Sequence, residues 1–191
     1  MTKDDVGPIT ELGMLIGQFA GEEAKKRIMG GSEQITDLSS EEVAEWLKNT
    51  MNKLDTLIDE KTRIQIMENC GFNCAEINKN HIENTLAKRE KFKTLDEFLE
   101  AEEKNPTQGT RLVREEGIIY QYYDPSAFKV RCFCSLWRGL KDDETVSPTW
   151  CLCSKGFVMK LWEALLGRPA KVELVESCIS GAKQCKFAVH L

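Results

Sequence analysis

The spacing of apolar residues changes once along this chain, and that change decides what it can fold into. Before the turn-rich segment Asn105-Pro106-Thr107-Gln108-Gly109, apolar residues recur every three or four positions; after it they alternate. The first spacing is that of amphipathic helices, the second that of half-buried strands. The sequence therefore predicts an α+β protein. A helical N-terminal part over residues 1–109 precedes an antiparallel β-sheet packed against helices over 110–191, the two forming one compact unit.

In the first part, Ile9, Leu12, Leu15, Ile16 and Phe19 open a helix expected to run to Met29 and stop at Gly30-Gly31. Gly13, Gly17 and Gly21 read as close helix packing. Ser39 with Glu42, and Thr94 with Glu97, have the spacing of capping boxes. Val43, Leu47, Met51, Leu54 and Ile58 form the stripe of the helix after Ser39, and Asp59 to Asn69 reads as another helix with Ile64 and Met67 inward. In the second part a hairpin over 111–123 turns near Glu115-Glu116-Gly117. Phe128 to Leu136 alternates and is expected to be a strand, with Cys132 and Cys134 on one face. A helix starting at Ser147-Pro148 or at Ser154 ends at Gly167-Arg168-Pro169. Val172 to Ser177 and Cys185 to Leu191 are the last two strands.

Charge follows the same division. There are 14 Lys and Arg against 22 Asp and Glu through residue 109, and 12 against 9 after it. The net charge of -5 disfavours a nucleic-acid partner. No apolar run reaches the roughly 20 residues of a membrane span, and the start MTKDDVGPIT has no leader pattern, so a cytoplasmic location is expected. A homodimer is compatible with this reading.

The chain carries 8 cysteines, all in close pairs: Cys70 with Cys74, Cys132 with Cys134, Cys151 with Cys153, Cys178 with Cys185. In a chain without an export signal, metal binding or redox chemistry explains such pairs better than disulfides. The alternative for each is a small buried hydrophobe. Cys178 and Cys185 flank the turn of the last hairpin, where symmetrical pairing would set them opposite each other and Glu176 opposite Phe187. Glu176 and Cys178 would then share a face. Thiolates and a carboxylate suit zinc, and the sulfurs would also suit iron. Cys151 and Cys153 lie at a helix start, which favours the thiolate as ligand or nucleophile. Cys70 and Cys74, four apart, read as packed thiols at a helix end, or as ligands of a second site. Neither His81 nor His190 stands in a recognisable catalytic arrangement. Aromatic residues from Tyr120 to Trp162 read as core, or as the lining of a pocket between sheet and helices.

One stretch resembles a known family. Cys151-Leu-Cys-Ser-Lys-Gly156-Phe157, the helix ended by Gly167-Arg168-Pro169, and Glu176-Ser-Cys178, Gly181 and Cys185-Lys-Phe187 look like the end of the 4-vinyl reductase small-molecule-binding domain. They also resemble the related sensor domains of aromatic-responsive regulators. The resemblance covers about 40 residues of the chain. It implies a ligand pocket between sheet and helices, beside a zinc held by Cys153 or Cys151, Cys178 and Cys185, with Glu176 as the carboxylate. The final motif is similar, too, to a hydrolase family acting on aminothiazoline carboxylate.

Three functions follow as expectations. The first is a sensor-like small-molecule-binding protein with a cysteine-rich zinc site drawn from Cys132, Cys134, Cys151, Cys153, Glu176, Cys178 and Cys185. The second is a cysteine- or metal-dependent hydrolase, with Cys151 or Cys153 as nucleophile or an open metal position activating water. The third is an iron–sulfur or thiol-redox protein.

Overall fold

The computed structural model describes residues 3–191; Met1 and Thr2 lie outside it. The helices are α1 (Lys3–Ala20), α2 (Glu22–Ile28), α3 (Ser40–Leu57), α4 (Glu60–Ile77), α5 (Lys79–Arg89), α6 (Leu95–Lys104) and α7 (Leu152–Leu166). The strands are β1 (Thr110–Glu115), β2 (Ile118–Tyr123), β3 (Lys171–Glu176) and β4 (Cys185–His190), in the order β1-β2-β4-β3 with every neighbour antiparallel. Two hairpins thus lie side by side, with α7 in the connection between them.

Local signals account for several boundaries. Both capping boxes form: Ser39 Oγ accepts from the Glu42 amide, Thr94 Oγ1 from the Glu97 amide, and each glutamate reaches back to its cap. The first hairpin turns at Glu116 and Gly117, whose φ values of 47° and 80° suit a tight primed turn. Ser147 Oγ accepts from the Thr149 amide and opens a 3-10 turn, Pro148–Cys151, that runs into α7. Gly167, left-handed at φ 65°, ends that helix.

Five sequence expectations are corrected. The first helix breaks at Gly21 (φ 89°), which folds α2 back on α1. There a Cβ on Gly17 would stand 2.5 Å from Glu22 Oε1, and one on Gly13 would touch Met29, so those glycines do mark close packing. The helix from Asp59 continues past Asn69, carrying Cys70 and Cys74 to Ile77; Ile66 and Met67 are its buried residues, and Ile64 is half-buried. α5 fills a segment to which the sequence reading assigns no element. Phe128 to Leu136 is not a strand. Pro125–Phe128 is a 3-10 turn, Lys129 has φ 58°, and Phe128 and Phe133 are exposed. A left-handed residue ends extended backbone, and arginine side chains then hold the chain in a loop.

The fifth correction is the register of the last hairpin. Leu174, not Glu176, pairs with Phe187; an irregularity between Leu174 and Glu176 sets Glu176 opposite Lys186. Residues paired across a sheet share a face. Ile119, Val189 and Val172, then Gln121, Phe187 and Leu174, then Tyr123 and Cys185 make the inner face; Tyr122, Lys186 and Glu176 lie on the outer one.

A single hydrophobic cluster runs from Ile9 and Leu12 on α1 through Leu47, Met51, Ile66 and Met67 to Trp150, Val158, Trp162, Phe187 and Val189. It crosses the 109/110 boundary. Polar links cross it as well, among them Thr149 Oγ1 to Asp55 Oδ1 at 2.7 Å, Lys155 Nζ to Glu68 Oε1 and Arg114 to Glu103. The tryptophans Trp137, Trp150 and Trp162 belong to this core: Trp137 and Trp150 meet edge to face at 5.3 Å, and the buried Trp162 indole donates to Gln121. Among the described residues no helix is long and apolar enough to cross a membrane.

Candidate metal centre

Two close approaches of backbone bring the cysteines together. α4 crosses α7 at Gly71 and Gly156. A Cβ on Gly71 would stand 2.1 Å from the Cys153 carbonyl and 2.8 Å from Gly156 Cα; one on Gly156 would stand 2.3 Å from the Glu68 carbonyl. Only glycine allows backbones so near. The second approach holds the loop after β2. Arg131 donates to the carbonyls of Lys141 and Glu144, and Arg138 to those of Cys132 and Phe133. Val146 N–H bonds Ile179 O at 2.8 Å, and Ser180 Oγ bonds Val146 O at 2.7 Å. The loop is thereby fastened to the turn between β3 and β4.

The eight sulfurs fall into two groups of four. Cys132, Cys151, Cys178 and Cys185, all buried, form the first. The Cys178 and Cys185 sulfurs stand 3.2 Å apart, and the Cys178 N–H points at Cys185 Sγ from 3.4 Å. Cys132 hydrogen-bonds Cys178, and Cys151 hydrogen-bonds Cys185. Cys178 Sγ also lies 3.0 Å from Arg131 O, and Cys151 Sγ 2.9 Å from Ser177 Oγ. Hydrogen bonds from Cys151 and then Cys178 pull Cys185 down to about 3, and one from Cys178 lowers Cys132. Cys178 and Cys151, as donors to these acceptors, are raised.

Cys70, Cys74, Cys134 and Cys153, all half-buried, are the remaining four, of which Cys74 and Cys153 are in hydrogen-bond contact. Cys70 and Cys74 share one face of α4, four residues apart. Cys74 hydrogen-bonds Cys153, and Asn78 Nδ2 donates to Cys74 Sγ at 3.4 Å. The bond from Cys153 lowers Cys74 to about 7. Burial pushes Cys70 and Cys134 up to about 12. Cys70 feels the charge on Cys74, Cys134 feels that on Cys132 and then Cys74, and Cys153 feels those on Cys70, Cys74 and Cys134.

Each C-x-C pair is therefore divided, one sulfur to each group. Residues two apart on a helical turn project to opposite sides, which separates Cys151 from Cys153. The loop conformation separates Cys132 from Cys134. Glu176, expected as a ligand, is exposed on the outer face beside Lys186 and stands apart from the sulfurs. Cys70 and Cys74, read as packed thiols at a helix end or as ligands of a second site, lie on α4 with Cys74 against Cys153 of α7. The signal in the sequence was small residues beside the thiols, Gly71 after Cys70 and Gly156 three past Cys153, which permit two helices to touch. His190 Nε2 lies 3.2 Å from Glu173 Oε1 on the outer face, and the His81 ring packs on Phe157.

As they stand, no three or more His, Cys, Asp or Glu side chains among the described residues are set to hold a metal ion. A tetrahedral zinc with sulfurs at about 2.3 Å sets them roughly 3.8 Å apart. The Cys178–Cys185 distance of 3.2 Å is that of sulfurs sharing a hydrogen bond, so the pair must open by about half an ångström to admit the ion. Two open grooves, one lined by Trp46, Asn49, Lys53 and Leu57 and the other by Glu42, Trp46, Lys141 and Glu144, lie beside α3 and include no cysteine.

No curated protein matches this sequence. Residues 14–191, spanning the helical part as well as the cysteine groups, match a family described as a family of unknown function, DUF6144. The chain belongs to that family.

Proposed function

We propose that the chain is a zinc-binding protein whose thiolate centre, Cys132, Cys151, Cys178 and Cys185, fastens the loop, α7 and the last hairpin to one another. One observation carries this reading. Four buried sulfurs from the loop, α7 and the last hairpin join in one run of contacts, with Cys178 Sγ touching the sulfurs of Cys132 and Cys185 and Cys151 reaching Cys185. A cation among the four sulfurs would take the place of their protons, and the Cys178 N–H on Cys185 Sγ is the kind of outer hydrogen bond that supports a thiolate ligand. Two thiols already drawn toward the charged form lower the cost of deprotonating the set.

Zinc suits the spacing better than an iron–sulfur cluster, whose cysteines bind different irons and so stand farther apart. With four sulfurs the coordination is closed, which favours a structural role over water activation. The small-molecule role implied by the resemblance is not needed for this reading, because the grooves beside α3 do not reach the sulfurs.

The test is anaerobic zinc titration of the reduced, metal-free chain against a chromophoric chelator. Changing Cys178→Ser together with Cys185→Ser should lower the zinc bound by one per chain. Retention of full metal content by that variant, or no zinc bound by the wild type, would overturn the reading.

A further inference from the structure

We infer that the outer face of the sheet docks a second copy of this chain, the two sheets packing face to face about a two-fold axis parallel to the strands. The inference does not depend on the metal centre, since Cys185 lies on the inner face.

Among the described residues the helices packed on the sheet lie on its inner side. α7 rests against β3 and β4, and α6 meets β1 where Arg114, paired with the inner Ile119, bonds Glu103. An antiparallel sheet can leave one face to water, and that face then reads polar. This face differs at its centre. β2 presents Ile118, Tyr120 and Tyr122, and β4 presents Ala188, which is buried yet stands outside the hydrophobic cluster. Arg111 lies over the Tyr122 ring at 3.8 Å and Lys186 over the Tyr120 ring at 4.1 Å, so both cations are laid flat on the tyrosines. Exposed charges stand at the four corners, Arg111 and Glu115 on β1, Lys171 and Glu176 on β3. An aromatic centre inside a charged rim is the anatomy of a protein interface.

The charge pattern says what fits it. One row across the sheet runs Arg111, Tyr122, Lys186, Glu176. Another runs Glu115, Ile118, His190, Lys171, and Tyr120 pairs with Ala188 between the two. A two-fold axis along the strands, between β2 and β4, keeps the rows and exchanges the edges, so β1 of each copy faces β3 of the other. Arg111 then faces Glu176, Glu115 faces Lys171, and Tyr120 faces the small Ala188, each twice. Packed sheets cross at about 30°, an offset that long side chains at the corners span. Glu173 keeps its own ion pair with Lys171 at 2.9 Å. An axis across the strands would instead set Glu173 against Glu173 of the other copy, so charge selects the first arrangement. Strands about 4.8 Å apart, rising about 3.3 Å per residue, give each copy a face of roughly 400 Å². That is short of the roughly 800 Å² per partner of a standard interface, which makes this a weak, reversible dimer.

The experiment is sedimentation equilibrium of the reduced full-length chain from micromolar to millimolar concentration, where a monomer–dimer equilibrium is expected. Arg111→Glu alone and Glu176→Arg alone each set like charges face to face twice per dimer, and each should weaken it about tenfold or more. Mixed together, the two variants place opposite charges at both contacts, so the mixture should dimerise about as well as the wild type. Both positions are exposed, and thermal melts check that the variants fold. A wild type that stays monomeric at millimolar concentration overturns the inference. So does a dimer that neither variant weakens, or a pair of weakened variants that does not recover on mixing. A parallel measurement needs no variant. Zero-length carbodiimide cross-linking of isotope-labelled with unlabelled wild type should join Lys171 of one copy to Glu115 of the other. Mixed-isotope links confined to other surfaces overturn the inference.

Discussion

At the residue scale the tightest constraint is Gly71. A methyl there would meet the Cys153 carbonyl and Gly156 Cα, both backbone, which cannot turn aside as a side chain can. Gly71→Ala should destabilise the metal-free protein by about 1–3 kcal/mol, the usual range for overpacking. In a chain of this size that lowers Tm by roughly 2–4 °C per kcal/mol. Gly117→Ala is the control. It also strains a left-handed backbone (φ 80°), but nothing lies within 4 Å of its Cβ, so the cost should be about 1 kcal/mol. Thermal unfolding of both variants separates close approach from backbone strain. If Gly71→Ala matches Gly117→Ala, the crossing is looser than described.

At the element scale the helix starts are the most local features, and they were legible in the sequence. A capping box needs two residues three apart and no distant partner, so Ser39 with Glu42 and Thr94 with Glu97 announced α3 and α6. Replacing Ser39 with alanine should cost about 1 kcal/mol. Hydrogen bonds from the Ser39 backbone and then its side chain hold the Glu42 carboxyl below its ordinary value. A carboxyl lowered in the folded state contributes stability above its unfolded pKa and loses it as pH falls through the lowered one. The difference in urea midpoint between wild type and Glu42→Gln should therefore be present at neutral pH and fade as the pH falls through and below the ordinary carboxylate range. A difference that persists in acid would mean the glutamate acts through something other than its charge. The loop at 128–136 was not legible, because its alternating pattern is overridden from outside. Lys129 turns the backbone left-handed, and Arg131 and Arg138 tie the chain through carbonyls up to 13 residues away. No window of strand-like residues carries that information. The register of the last hairpin was missed for a similar reason, since one irregularity after Leu174 moved Glu176 to the other face.

At the scale of the whole molecule, helical part and sheet part are not separable. α7 spends one side on α4 and another on β3 and β4, and the hydrophobic cluster joins them without a gap. Residues 110–191 expressed alone should show no cooperative unfolding transition, because that fragment uncovers the side of α7 that packs on α4. A cooperative melt of the isolated fragment, followed by circular dichroism, would contradict this. The cysteine pairs were legible as chemistry, but their partition was not. Which sulfur joins which group depends on how two distant helices cross. That crossing also has a mechanical meaning. Gly71 lies between Cys70 and Phe72, so a slide of α4 by one residue in either direction would press a side chain into a space that admits none. The two helices have one seated position and no neighbouring ones, like a key with a single notch, and a displaced α4 must leave α7 before it can settle against it again.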